Sequence, residues 1–216
     1  MPVKNEEATL EKIINEAKGY CDEILVIDGD SKDSSREIAE KLNCRVFLDG
    51  GKGKGEAVRI AIQKASGEII VFLDADGSHE VKDIPKLVKP IKKDEADLVI
   101  ASRRLGGSDE LYGNFDRLIR RLGSSTITSF INIRFKVRLT DSQNGFRAIR
   151  RDVARQLDLK ENIFTIEQEM VMKCLKKGFR IREINSHEYS RKFGKSRINV
   201  LTMAPRYIVC LIKNLF

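Results

Sequence analysis

The chain has 216 residues, of which 41% are hydrophobic and 33% are charged, and its formal net charge is +8. This composition excludes a disordered chain and suffices for a domain with a sizeable core. The basic excess suits an anionic partner such as nucleic acid, a membrane surface or a phosphorylated substrate, although most lysines are expected on solvated helix faces. The four cysteines are scattered without CxxC spacing, which argues against a zinc site or disulfide framework, and no apolar run reaches the roughly 18 residues needed to span a bilayer.

The first hundred residues alternate predicted helices and strands. Apolar periodicity predicts helices at about 10–17, 34–42, 55–65 and 83–91, and buried strands at 23–27, 45–48, 68–73 and 97–102. Ser34 and Glu37 have the spacing of a capping box, and Asp83 is the expected cap of the fourth helix. Because the strands are continuous apolar runs, they predict a mostly parallel sheet with helices on both faces.

The second half departs from this alternation. The pattern predicts a long helix at about 114–133, a turn at 140–146, a helix at about 166–177, a strand at 180–185, a loop rich in Arg, Lys and Gly, and a final helix. No linker or repeat interrupts the chain. We therefore expect one domain over 1–216, with a nucleotide-binding half at about 1–102 and an acceptor-binding half at about 103–216.

The C-terminal helix is predicted to be amphipathic. Its apolar face carries Leu201, Ala204, Ile208, Leu211 and Leu215. Arg206 and Lys213 argue against a buried span. Two interpretations stay open: a helix lying on a membrane surface beside a lipid substrate, or a last helix packed on its own domain or on a partner chain.

Three polar loops follow predicted strands, at the sheet edge where ligands bind in open parallel sheets. They contain Asp28, Asp30 and Asp33, then the glycine-rich stretch GGKGKGEAVR with Lys52 and Lys54, then Asp74 and Asp76. The glycine-rich loop matches neither a P-loop nor a GxGxxG motif, but such a turn with lysines is able to approach a diphosphate.

The carboxylates of Asp74 and Asp76 directly follow the buried strand at 68–73. One or two carboxylates plus phosphate oxygens form a normal shell for Mg²⁺ or Mn²⁺, which neutralises charge on a departing diphosphate. A helix cap or a hydrogen-bonded turn is the alternative. The coincidence of three such loops at one edge favours the metal.

Eight short motifs follow one another along nearly the whole chain. They are PVKNEEATL (2–10), VIDGDSKDS (26–34), GKGEAVR (53–59), VFLDADG (71–77), ADLVIASR (96–103), RRLGSS (120–125), DSQNGFRAIRR (141–151) and RKFGKSRINV (191–200). In this order they resemble family 2 glycosyltransferases, and the last three resemble the dolichol-phosphate mannosyltransferase branch. The resemblance implies an α/β GT-A fold with a Rossmann-like sheet. The family usually has a full apolar strand before the first motif, whereas this chain starts at Met1-Pro2, so the first strand is expected to be truncated, or the start codon to have been assigned too late.

The resemblance also implies functional residues. Binding of the nucleotide sugar is expected from Pro2, Asn5, Glu6, Asp28, Lys54, Asp74 and Asp76. The metal ligands, for Mg²⁺ or Mn²⁺, are Asp74 and Asp76. Binding of the acceptor phosphate is expected from Arg103, Arg120, Ser124, Arg147, Arg191, Ser196 and Arg197, and the catalytic set is Asp76, Arg103 and Arg191. Glu169 is a further acid that either approaches the site or lies exposed on its helix.

The implied reaction is inverting transfer of a hexose from a nucleotide sugar, GDP-mannose ahead of UDP-glucose, to a polyprenyl or dolichyl phosphate. Arginines suit the acceptor phosphate, whose oxygen is already anionic at neutral pH and needs hardly any general base. The enzyme is expected in the cytoplasm, peripheral at the cytoplasmic membrane face. The alternatives are a soluble or glycan acceptor, and a non-catalytic nucleotide-binding relative. Nucleic-acid binding explains the basic charge but not the acids at the sheet edge.

Overall fold

The computed structural model describes residues 1–109, 115–191, 193 and 200–215. The strands are β1 (Pro2–Val3), β2 (Leu25–Asp28), β3 (Arg45–Leu48), β4 (Ile69–Phe72), β5 (Leu98–Ser102), β6 (Arg147–Arg150) and β7 (Ile181–Asn185). The helices are α1 (Glu7–Ala17), α2 (Ser35–Lys41), α3 (Lys54–Lys64), α4 (Ile84–Lys92), α5 (Arg103–Gly106), α6 (Phe115–Phe135), α7 (Arg151–Gln156), α8 (Ile166–Lys176) and α9 (Val200–Leu215).

The strands form two sheets in which parallel pairings prevail. The first has the order β1-β2-β3 and is entirely parallel, with Pro2 opposite Ile27. The second has the order β4-β6-β5-β7, in which β5 and β7 are parallel and β6 is antiparallel to both of its neighbours. The predicted α/β class with a mostly parallel sheet is confirmed.

Helices cover both faces of the sheets, as the alternation of buried residues along β5 shows. Leu98 and Ile100 belong to one apolar cluster, whereas Val99 and Ala101 belong to the other. The first cluster also contains residues of α3, α7, α8 and α9, and the second contains residues of α1, α2 and α4. A strand buried on both faces reads as a continuous apolar run, which is why β5 was predictable.

Strand β6 and the short helices α5 and α7 were not predicted. In β6 only Ala148 and Ile149 are apolar, and they lie between two arginines. Arg147 is buried, whereas Arg150 pairs with Asp94 at 2.7 Å. This short strand therefore shows neither the alternation nor the apolar run by which strands are recognised.

Two predicted caps are wrong in detail. Ser34 stands at the start of α2 but makes no side-chain capping bond, and Asp33 accepts the Ser35 N–H at 3.0 Å. Asp83 stands before α4, but its carboxylate pairs with Lys86 at 2.5 Å instead of capping.

The described residues contain no helix that is both long and apolar enough to cross a membrane.

Candidate functional site

A cavity of about 1010 Å³ lies beside the carboxyl ends of β1 and β4 and extends to α6 and α9. Its lining includes these predicted site residues: Pro2, Glu6, Lys54, Asp74, Asp76, Arg103, Arg120, Ser124 and Arg191. The structure thus brings together the residues expected to bind a nucleotide sugar and those expected to bind an acceptor phosphate.

Asp74 is held by the lysine that begins α3. The Nζ of Lys54 lies 2.7 Å from one Asp74 oxygen and 2.8 Å from Glu167 Oε1. Burial alone would raise the pKa of Asp74, but the Lys54 ammonium outweighs it and holds that pKa well below its usual range. Burial likewise opposes the charge on Lys54, yet the two carboxylates raise its pKa. The three charges therefore form one partly buried unit at the end of β4.

Asp76 faces an arginine from the opposite end of the chain. Its Oδ1 accepts hydrogen bonds from the backbone N–H and the hydroxyl of Ser78, at 3.0 and 2.6 Å. Its Oδ2 lies 2.9 Å from Arg191 Nη2, and Arg191 Nη1 lies 3.1 Å from Glu6 Oε1. The guanidinium of Arg191 thus already pairs with Asp76 Oδ2.

The donor set fits a metal only in combination with a ligand. Among the described residues, no group of three or more His, Cys, Asp or Glu side chains is arranged to hold a metal ion. Asp74 is paired with Lys54. Asp76 Oδ2 is paired with Arg191, which a divalent metal ion is able to replace. One carboxylate plus diphosphate oxygens is a normal shell for Mg²⁺ or Mn²⁺. The residues therefore fit a cation shared between Asp76 and a diphosphate.

Arg103 lies at the start of α5 and is fixed by a buried acid. It pairs bidentately with Asp141, with Nε at 2.6 Å and Nη2 at 2.9 Å, and its Nη1 lies 3.6 Å from Glu188. Burial would raise the pKa of Asp141, but the Arg103 charge lowers it below its usual range. This pair orients the guanidinium along the cavity wall, which suits recognition of a phosphate.

Three predicted site residues do not line this cavity. Asn5 is exposed and accepts the Lys32 N–H at 2.7 Å, so it joins the entry segment to the loop after β2. Asp28 is fully buried and pairs with Arg36 at 2.7 Å.

Arg147 is the third. It is buried, with Nε donating to the Asn144 carbonyl at 2.9 Å and Nη1 donating to the Glu167 carbonyl at 2.8 Å. Its guanidinium therefore supports the turn before β6 and the start of α8. Ser196 and Arg197 lie outside the described residues.

Neither interpretation of Glu169 agrees with the structure. Glu169 neither approaches the cavity nor lies exposed: it is buried, accepts the N–H groups of Lys160 and Glu161, and pairs with Lys173. Glu167, which the sequence analysis missed, lines the cavity instead. The sequence FTIEQEM contains both acids, and only the exact rotation of the helix separates their roles.

The other wall of the cavity is apolar and helical. Ile119 and Ile127 of α6 lie in this wall with Tyr207 and Ile208 of α9. The buried face of α9 carries Cys210, Leu211 and Asn214, and the Tyr207 hydroxyl donates to the Phe164 carbonyl at 3.1 Å.

The predicted apolar face of α9 is only partly buried. Leu211 is in the core, whereas Ala204 and Ile208 are exposed, and the Leu201 side chain lies outside the described residues. On the outside of the helix pair, Leu122, Ile133 and Ile212 are 55%, 76% and 56% exposed. The last helix thus packs on its own domain and still presents apolar side chains to the surroundings.

Comparison with known proteins finds a family model, Glycosyl transferase family 2, that matches residues 1–158. The glycosyltransferase AglJ of Haloferax volcanii is 32% identical over 196 residues, which are 89% of this chain and 63% of the relative. A dolichol-phosphate mannosyltransferase of Pyrococcus furiosus is 30% identical over 187 residues, which are 80% of this chain and 51% of the relative. The chain thus spans between half and two thirds of the length of these two curated relatives.

Solved structures share the fold at lower identity. Glucosyl-3-phosphoglycerate synthase from Mycobacterium tuberculosis, in complex with Mn²⁺, UDP and glucosyl-3-phosphoglycerate, has a TM-score of 0.74 at 21% identity and covers 99% of this chain and 77% of its own. The same enzyme with Mg²⁺ and UDP has a TM-score of 0.77 at 20% identity, with the same coverage. This likeness confirms the GT-A-like fold.

Proposed function

Because this chain belongs to glycosyl transferase family 2, we propose that it is a metal-dependent transferase that moves a hexose from a nucleoside diphosphate sugar to a polyprenyl phosphate. The predicted family is confirmed. The observation that carries the acceptor proposal is the composition of the cavity, in which carboxylates at strand ends, arginines and an apolar helical wall border one space. The relative named dolichol-phosphate mannosyltransferase supports the same acceptor class.

The donor is proposed to bind along the strand ends. Its diphosphate lies beside Asp76, with Lys54, Asp74 and Glu6 around it. Mg²⁺ or Mn²⁺, with which the structural neighbours are crystallised, neutralises charge on the leaving diphosphate when it is bound there. Asp76 would hold that cation in place of its present pairing with Arg191, whose guanidinium would then turn to the acceptor phosphate. GDP-mannose and UDP-glucose are the donors to test first.

The acceptor phosphate is proposed to bind Arg103, Arg120, Ser124 and the released Arg191, with its alkyl chain along Ile119, Ile127, Tyr207 and Ile208. A phosphate oxygen of the acceptor forms the new bond to the anomeric carbon while the bond from that carbon to the diphosphate oxygen breaks. The configuration inverts, and no proton has to move, because the attacking oxygen is already anionic near pH 7.

The exposed apolar side chains of α6 and α9 suit contact with a membrane surface, from which a polyprenyl phosphate is drawn. We propose that these side chains enter the interface while the cavity stays above it. Basic side chains on the same two helices, among them Arg134 and Lys213, favour an anionic surface.

A transfer assay tests the proposal. The chain is incubated with sugar nucleotides, Mn²⁺ or Mg²⁺ and a short polyprenyl phosphate, and released nucleotide and glycolipid are followed by mass spectrometry beside the Asp76→Ala variant. We expect metal-dependent glycolipid from one donor, absent in the variant. Nucleotide release with 3-phosphoglycerate or a glycan but not with the lipid overturns the lipid acceptor. Nucleotide binding without turnover on any acceptor points to a non-catalytic relative.

A further inference from the structure

Glu167 has a carboxylate oxygen that nothing in the described structure satisfies. The side chain is 5% exposed, and its Oε1 pairs with Lys54 at 2.8 Å. Its Oε2 is buried and has no hydrogen-bond partner among the described residues. Buried polar atoms are nearly always paired, so such an oxygen calls for an explanation.

The position of Glu167 identifies what lies nearest to it. Lys54 Nζ joins Glu167 to Asp74, so Glu167 is one ammonium group away from the acid pair where the diphosphate is proposed to bind. Glu167 also lines the cavity, together with Gly145. In a nucleotide sugar the diphosphate carries the nucleoside at one end and the sugar at the other, and only the sugar has to lie between the diphosphate and the acceptor.

The carboxylate of Glu167 selects the kind of group that it is able to bind. Its Oε1 is already paired with Lys54, which also pairs with Asp74. A carboxylate only accepts hydrogen bonds. The phosphate oxygens of a nucleotide sugar and an alkyl chain offer it no donor, whereas a hydroxyl group does.

The surroundings keep the carboxylate in place. A methyl group on Gly145 would lie 2.7 Å from Lys54 Nζ and 2.8 Å from Asp74 Oδ2, so glycine leaves room for these two side-chain ends to meet. The terminal torsion of a glutamate is broad and roughly two-fold. Lys54 is therefore able to retain one oxygen of Glu167 while the other turns toward the cavity.

We propose that Glu167 binds a hydroxyl group of the sugar being transferred and thereby helps to select the donor sugar. This inference rests on the proposed function. A small void of about 10 Å³ beside Lys54, Asp74 and Glu167 offers the competing explanation, a single bound water molecule.

Binding measurements without catalysis test this role. The affinities of GDP, GDP-mannose, UDP and UDP-glucose are measured by calorimetry with Mn²⁺ for the wild type and for Glu167→Gln. We expect the variant to bind the preferred nucleotide sugar about tenfold more weakly, the usual loss for one hydrogen bond to a charged group, and to bind the matching nucleoside diphosphate unchanged. Deoxy analogues of that sugar identify the hydroxyl: the wild type binds one of them about tenfold more weakly, and the variant does not distinguish it from the parent donor.

The matched control is Glu169→Gln, on the same helix and equally buried but outside the cavity lining. It is expected to lower thermal stability while leaving the ratio of sugar-nucleotide to nucleotide affinity unchanged. Equal weakening of nucleotide and nucleotide sugar by Glu167→Gln, or full affinity of the wild type for every deoxy analogue, overturns the inference and leaves nucleotide binding standing. Failure of every nucleotide to bind overturns the proposed function and this inference with it.

Discussion

The two walls of the cavity bring opposite chemistry to one space. On the strand side, Lys54, Asp74 and Asp76 are fixed by short contacts to charged partners. On the helical side, α6 and α9 contribute apolar side chains such as Ile119 and Ile208 next to Arg120 and Ser124, and side chains such as Ile212 remain exposed. The comparison indicates that the strand wall is built to hold a charged ligand in one geometry. The helical wall suits a ligand that is apolar and variable in length.

The largest effect is expected at Asp76. Asp76→Asn removes the charge that the cation and Arg191 share, so the rate of transfer should fall about 100- to 1000-fold, as for the loss of one electrostatic group that acts on the transition state. Steady-state kinetics with saturating acceptor measures it. Asp30→Asn, on the exposed loop after β2, is the control and should retain full activity. A nearly active Asp76→Asn would remove the metal from the proposal.

Arg120 separates a phosphate acceptor from a neutral one. Arg120→Gln should raise the KM for polyprenyl phosphate about 10- to 100-fold, the range for losing a hydrogen bond to a charged group, and leave donor affinity unchanged. Arg121→Gln is the matched control, because the neighbouring arginine is not among the residues lining the cavity. If both variants keep the wild-type KM, the helical wall does not receive the acceptor phosphate.

The outer face of α6 and α9 tests the membrane contact. Leu122→Ser combined with Ile212→Ser should weaken binding to anionic phospholipid vesicles about tenfold, because two apolar side chains no longer enter the interface. Flotation of vesicles measures this binding. Transfer to a short, water-soluble polyprenyl phosphate should be unaffected. Tyr20→Ser, an exposed apolar residue elsewhere on the surface, controls for general changes, and equal vesicle binding by all variants would contradict the membrane contact.

The strand wall was largely predictable from the sequence and the helical wall was not. Asp74 and Asp76 follow a continuous apolar run, and the carboxyl ends of parallel strands converge by topology, so their position at the cavity followed from the pattern. Asp28 follows such a run too, but it pairs with Arg36 of the next helix and does not line the cavity. The chain position of a residue was therefore predictable, and the direction of its side chain was not.

On the helical side the missing information is rotation. A shift of two residues exchanges Glu167, which lines the cavity, with Glu169, which caps the segment around Lys160. The rotation of α9 was equally uncertain: on its predicted apolar face Leu211 is buried, whereas Ala204 and Ile208 are exposed. Such rotations are set by tertiary contacts, here the pairing of Lys54 with Glu167 and the packing of Cys210 and Leu211 in the core.

The smallest expected effect is on the free energy of unfolding, and it depends on pH because it comes from the carboxylate of Glu23. Glu23 accepts the N–H groups of Ser66 and Gly67 at 2.7 and 3.1 Å and pairs with Arg45 at 2.6 Å, so it ties β2 and β3 to the loop before β4. Burial would raise the pKa of Glu23, but these bonds lower it to about 2.

Because the folded pKa lies below the unfolded value of about 4.3, the stabilisation is present above that value and is lost as the pH falls toward 2. Glu23→Gln should therefore lower the free energy of unfolding by about 1 kcal/mol at pH 7, and by less at pH 3. Urea denaturation at the two pH values measures the difference, with the exposed Glu11→Gln as a control that changes little at either. If the free energy of unfolding falls as much at pH 3 as at pH 7, the shape of the Glu23 side chain, and not its charge, stabilises the strands.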